Sequence, residues 1–184
     1  MAAAHSFLSP KQFEQLYAED STPQFEYWFG KVLQKPMPTA LHSALAFVIA
    51  TLLFKRGWKA LPEVRLKLSQ LAYPVPDVVA DSKPLQSPYL TKPFGLCVEI
   101  LSPGDKLNKT FDKAAHYLDW GVQTVWIIDP QKQIAFSMSA QNPQPVPVTM
   151  SGFLSAGSDE SAVSILLADI FGEVERSGLI DEAR

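Results

Sequence analysis

Two hydrophobic periods alternate along the chain. Phe13, Leu16 and Tyr17 recur at i, i+3 and i+4 behind Ser9-Pro10, a cap residue followed by proline at the first helical position, so a short helix is expected to end near Asp20. Phe25-Glu26-Tyr27-Trp28-Phe29 then alternates with period two. With Gly30-Lys31 and Val32-Leu33-Gln34 it predicts a β-hairpin turning at Gly30, with Glu26 and Trp28 on one face and the phenylalanines and Tyr27 on the other. The apolar run 45–54 lies behind a Thr39 cap and before Gly57, which predicts a core helix to Arg56. Residues 63–68 alternate polar and apolar as a half-buried strand does, and 76–80 and 95–101 are two further strand candidates. Between the last two, Pro84, Pro88 and Pro93 mark a loop over 81–93. Phe111, Ala115 and Leu118 fall at i, i+4 and i+7, predicting a helix over 108–120 stopped by Gly121. A buried strand follows over 122–129, closed by Asp129-Pro130, so a β-α-β crossover is implied. Residues 133–138, 146–150 and 163–167 read as additional strands or edges, 168–174 as a terminal helical turn and 175–184 as a polar tail.

Composition sets the scale of this pattern. With 184 residues, 47% hydrophobic and 19% charged, the chain can bury one substantial core, and a single domain is expected over residues 1–184, its core spanning about 9–172. The mixture of helices and strands makes it an α/β protein with an α+β mixed sheet. The run 45–54 is far shorter than the roughly 20 apolar residues a bilayer requires, so no membrane partner is expected. No basic patch precedes a long apolar stretch at the N-terminus, and a lone Cys97 excludes an internal disulfide framework; the cytoplasm is the expected compartment. The net charge of −3 argues against a polyanionic partner, but its distribution softens the objection. Residues 31–113 hold twelve Lys or Arg against six Asp or Glu, and residues 114–184 three against nine. Such a basic middle permits a nucleic-acid substrate without demanding one, a solvated surface being the commoner reason for a block of charge.

Candidate chemistry gathers at three charged residues. Glu99 sits inside the apolar run Leu96-Cys97-Val98-Glu99-Ile100-Leu101, sharing its strand face with Cys97 and Leu101, and a charge planted there is costly unless paired. Asp77 follows Pro76, and the separation from Glu99 allows adjacent strands to bring both acids together; alone, an aspartate after proline is more commonly a turn or cap residue. Glu99 could instead form a buried ion pair. Two converging acids with Lys113 nearby describe a phosphodiester-cleaving site, because magnesium takes one or two carboxylates plus waters and phosphate oxygens. Cys97 in its apolar strand reads as a small hydrophobe, and no phosphate loop or serine elbow occurs. His5 and His116 lack zinc spacing, and one cysteine cannot complete a thiolate site.

Taken in order, Phe25-Glu26-Tyr27-Trp28-Phe29-Gly30-Lys31, His42, Pro76-Asp77, Glu99-Ile100-Leu101-Ser102-Pro103, Lys113 with Tyr117, and the run from Gly121 to Pro130 resemble the Uma family of putative restriction endonucleases, within the PD-(D/E)XK nuclease superfamily. The resemblance implies a restriction-endonuclease-like core: a central mixed β-sheet flanked by helices, with an N-terminal helix and hairpin. It also implies one magnesium site, with manganese as substitute, at which Asp77, Glu99 and the main-chain carbonyl of Ile100 hold the ion. Lys113 and Glu26 complete the catalytic set, and His42 is a possible phosphate contact or supporting donor. The superfamily's Glu-x-Lys places lysine two residues after the glutamate, where this chain has Leu101, so the lysine must come from elsewhere; Lys113 matches the family's position. DNA hydrolysis and a homodimer are the expected activity and assembly. The alternatives are a nuclease-fold module that binds nucleic acid without turnover, and a homodimeric interaction protein.

Overall fold

The structure, a computed structural model, describes residues 7–18, 25–86 and 89–180. Helix α1, Pro10–Phe13, opens with a reciprocal cap: the Ser9 hydroxyl accepts from the Gln12 amide, and the Gln12 side chain accepts from the Ser9 amide. It continues as a π-helical turn, Glu14–Ala18; the expected end at Asp20 lies outside the described residues, as does His5. Strands β1, Phe25–Trp28, and β2, Lys31–Gln34, form the expected hairpin. Its two turn residues, Phe29 and Gly30, both have positive φ, 49° and 90°, the signature of the primed turn that matches strand twist.

Thr39 caps α2, Ala40–Lys55, by accepting from the His42 amide. The remaining strands and helices are β3, Lys59–Pro62; β4, Ala72–Tyr73; β5, Val78–Asp81; β6, Leu96–Ile100; α3, Leu107–Trp120; β7, Thr124–Asp129; β8, Ile134–Ser139; β9, Val146–Val148; β10, Phe153–Ala156; β11, Val163–Leu166; and α4, Leu167–Ser177. A six-stranded mixed sheet runs β3-β5-β6-β7-β8-β9, with β6 and β7 parallel and every other pair antiparallel. The parallel pair is joined through α3, the crossover that the sequence implies. Two smaller sheets, β2-β1-β4 and β10-β11, complete the fold.

Strand alternation divides the core. Leu96, Val98 and Ile100 of β6 pack with α2 and α4 on one face, while Cys97 packs with Ala114, Tyr117 and Leu118 of α3 on the other. A third cluster stacks Phe13, Tyr27 and Tyr73 beneath the hairpin, with Phe13 and Tyr27 ring centres 5.0 Å apart.

Four expectations change. Residues 63–68 bury Leu66 and Leu68 as their alternation requires, but pair through scattered bonds to Ala72, Pro74 and Leu90 instead of a ladder; the edge strand lies just upstream, at β3, and Glu63 breaks it with φ of 50°. Helix α2 is apolar all round yet buried on one side, leaving Phe47 and Phe54 exposed. Strand β10 has no counterpart in the sequence reading; it exists by pairing with β11. Helix α4 extends to Ser177, absorbing the start of the expected polar tail because Ile170, Phe171 and Val174 give it a buried face.

Candidate active site

A cleft of about 440 Å³ opens between the β1–β2 hairpin, the N-terminal end of α3 and the junction of β5 with β6. Glu26, His42, Asp77, Glu99, Ile100 and Lys113, all six site residues expected from the sequence, line it. Register explains the meeting of the acids. Val78 pairs with Val98 across the antiparallel strands, so Asp77, one residue before β5, lies beside the end of β6 that carries Glu99, and its amide donates to the Val98 carbonyl at 3.1 Å. Lys113 comes from the second turn of α3, which the crossover lays over this strand end.

Lys113 joins the acids. Its Nζ lies 2.9 Å from Glu26 Oε1 and 3.0 Å from Glu99 Oε1. Glu99 also accepts from the Tyr117 hydroxyl at 2.7 Å, one helical turn beyond Lys113. Glu26 accepts from the Val75 amide at 2.8 Å and from the Trp28 indole at 3.0 Å. Its partners therefore fix it as the holder of Lys113, whereas sequence alone left it equally a solvent-facing acid.

Asp77 is held separately. Lys35 Nζ approaches Oδ1 at 2.8 Å, His42 Nε2 approaches Oδ2 at 3.2 Å, and the Ile100 amide donates to Oδ2 at 2.7 Å. Lys35 also donates to the Val75 carbonyl at 2.9 Å, and His42 hydrogen-bonds the main chain of Ile100. Lys35 is not among the site residues that the sequence predicts. A signal existed: Leu33 pairs with Glu26 across the hairpin, so Lys35, two residues on, falls on the Glu26 face. Tyr117 stands out in the sequence only through the family pattern, although its i+4 spacing from Lys113 places both on one face of α3.

Burial and charge set the protonation of these groups in opposite directions. Burial would raise the Asp77 carboxyl, but the hydrogen bond from His42 and the charge of Lys35 hold it well below the ordinary range. Glu26 is lowered in the same way, Lys113 outweighing burial. Glu99 goes the other way: burial, reinforced by the negative charges of Asp77 and Glu26, pushes it up to about 7 against the pull of Lys113. Lys113 itself is raised, because Glu26 and Glu99 outweigh its burial. The Cys97 thiol is driven well above its ordinary value by burial and the neighbouring Glu99, so it is no nucleophile.

Among the described residues no group of three His, Cys, Asp or Glu side chains is arranged to hold an ion unaided. The oxygen donors that do converge suit a hard divalent cation of the magnesium kind, which binds through one or two carboxylates and keeps several waters. Asp77 and Glu99 would supply the carboxylates, and the Ile100 carbonyl and waters the rest. Each Asp77 oxygen has two lone-pair sites; Oδ2 already accepts from His42 and the Ile100 amide, so an ion would take the second site of Oδ1 and share that oxygen with Lys35.

Among the described residues no helix is long and apolar enough to cross a membrane. Comparison with known proteins agrees with the geometry. None of the curated proteins matches the sequence. A crystal structure at 1.96 Å resolution, titled as a putative nuclease belonging to DUF820 from Anabaena variabilis ATCC 29413, superposes with a TM-score of 0.72 at 25% identity, covering 91% of this chain and 99% of that one. The family described as "Putative restriction endonuclease", Uma2, matches residues 10–167. With its mixed sheet, its flanking helices and a match across most of its length, the chain belongs to the Uma2 family and has the fold of a nuclease.

Proposed function

We propose that the protein is a magnesium-dependent endonuclease that hydrolyses DNA phosphodiester bonds, with manganese as an alternative ion. The observation that carries this reading is the placement of Lys113 Nζ between Glu26 and Glu99, in the cleft that Asp77 also lines. Asp77, Glu99 and the Ile100 carbonyl would hold the ion. Bound there, magnesium supplies charge neutralisation at the phosphate and acidifies a water at neutral pH. The chain's own residues do the rest. Lys113 presents a fixed ammonium where negative charge grows on the phosphate oxygens, and it orients the attacking water. Glu26 holds that ammonium in place, and Tyr117 holds the Glu99 carboxylate in its rotamer. Lys35 and His42 keep Asp77 ionised before an ion arrives.

Incubating the protein with plasmid and magnesium tests the reading. Cleavage should depend on the ion, disappear in Glu99→Gln and Asp77→Asn, and fall about 10²- to 10³-fold in Lys113→Ala. Absence of cleavage, or cleavage indifferent to both acids, rejects it. One observation favours a second reading: Lys35 and Lys113 already neutralise both acids, as they would in a nuclease fold that binds nucleic acid without turnover. DNA retention without cutting and without ion uptake by calorimetry would select that alternative. We place a homodimer in the first reading, since two copies provide two sites for the two strands of a duplex. A monomeric mass by light scattering at working concentration would remove it.

A further inference from the structure

The hairpin tip carries a group that the reaction above does not use. Phe29 is 53% exposed and has a φ of 49°. An aromatic residue is costly at positive φ, and primed turns favour asparagine, aspartate or glycine at this position. A large apolar ring held in solvent on a strained backbone is retained against both local preferences, and such residues gather at functional sites. Phe29 is not isolated. Its ring centre lies 5.2 Å from that of His116 and 6.2 Å from that of Trp28, and Trp28 and His116 are 5.6 Å apart. His116 is itself exposed, on α3 one turn beyond Lys113. The three rings, tilted 40–53° to one another, form one aromatic cluster that lines the cleft.

Two observations tie this cluster to the site and indicate its occupant. The Trp28 indole donates to Glu26, whose other oxygen bonds Lys113, so the cluster stands two hydrogen bonds from the ammonium. Toward the N-terminal end of α3, Lys106 and Lys109 also line the cleft, are exposed and make no ion pair among the described residues. Glu63 also borders the cleft, and Asp105 and Asp112 flank these lysines at the start of α3, so the positive charge is confined to the two exposed ammonium groups. A base-stacking surface beside unpaired lysines is complementary to one kind of ligand, a strand whose bases are free to leave their neighbours. A base inside a duplex has both faces covered.

We infer that Trp28, Phe29 and His116 form a stacking shelf for an unpaired nucleobase next to the scissile phosphate, so that the substrate strand is bound as a single strand, its phosphates running along Lys106 and Lys109. This rests on the nuclease reading and specifies its substrate.

Fluorescence anisotropy with labelled oligothymidine and with a duplex of equal length, in calcium to prevent turnover, tests the shelf. Oligothymidine should bind more tightly than the duplex. Phe29→Ala should weaken it about 5- to 150-fold, the range of one lost base stack, and change duplex binding less than about 2-fold. Phe29→Trp should restore single-strand affinity, showing that Phe29→Ala acts through the ring and not through folding. Fluorescence of a 2-aminopurine strand should be quenched by the unaltered protein and not by Phe29→Ala. Preference for duplex, single-strand affinity unchanged in Phe29→Ala, or a loss that Phe29→Trp does not restore overturns the inference. Magnesium-dependent cleavage of circular single-stranded DNA and of plasmid, measured in parallel, separates the two readings. Cleavage by a protein that fails the stacking tests removes the shelf and spares the nuclease, whereas stacking without cleavage does the reverse.

Discussion

Glu99 accepts from Lys113 and Tyr117 while almost wholly buried, and burial places its proton near neutral pH. The sign of its effect on stability follows. Its folded value, about 7, lies above the ordinary 4.5, so the native state holds the extra proton in between. The stability this proton contributes is present at low pH and is lost as pH rises through about 7. Asp77 and Glu26 are lowered and act oppositely: their contribution is present above their ordinary values and lost as pH falls. Urea unfolding of the ion-free protein should therefore show greatest stability in weak acid, with a decline toward pH 8 that Glu99→Gln abolishes; a decline unaltered in that variant would place the titration elsewhere. An ion bound at Glu99 displaces the same proton, so calorimetry near pH 6 in buffers of different ionisation enthalpy should register proton release on magnesium binding, and little at pH 8.5. Tyr117→Phe removes a charge-assisted hydrogen bond from the buried carboxylate and should cost about 1–3 kcal/mol in urea unfolding at pH 8. A cost near zero would show that water replaces the hydroxyl.

At the scale of elements, α3 controls the site because it carries Lys113, His116 and Tyr117 on one side of its path over β6. Its C-terminal end is set by Gly121, whose φ is 111° and whose missing Cβ leaves room for Pro93: a Cβ there would lie 2.8 Å from the proline ring. Gly121→Ala should lower stability by about 1–3 kcal/mol, through strain and this contact, measurable as a fall in thermal midpoint. An unchanged midpoint would mean that the turn and Pro93 shift freely. The hairpin is the second controlling element. It delivers Glu26 from one strand and Lys35 just beyond the other, so a register slip of one residue would turn both away from the acids they serve. Its positive-φ turn fixes that register at a local cost in Phe29.

For the whole molecule, the net charge of −3 means that attraction for a polyanion depends on where charge lies. The cleft gathers Lys35, Lys106, Lys109 and Lys113, of which Lys106 and Lys109 make no ion pair among the described residues. Binding of a single-stranded oligonucleotide should weaken with salt, and Lys106→Ala and Lys109→Ala should each reduce the slope of log affinity against log salt by about 0.7. Equal slopes in all three proteins would take the strand off this path.

The sequence by itself determined the residue types and the elements that carry them. A glutamate in an apolar strand, an aspartate behind a proline, a helix ended by Gly121 and a hairpin turned at Gly30 are local facts, written in period and in φ preference. Tertiary structure decided what those facts meet. Alternation puts Lys35 on the Glu26 face of the hairpin, but it gains its partner, Asp77, only through packing of the hairpin against the strand end. Residues 63–68 alternate like a strand yet make only scattered bonds to Ala72, Pro74 and Leu90, and β10 has little pattern but a partner in β11. Side-chain burial can be read from the chain because each residue carries its own hydrophobicity. Hydrogen-bonded and ionic partnership cannot, because it belongs to pairs of residues distant in sequence, and only the packed fold sets the distance between them.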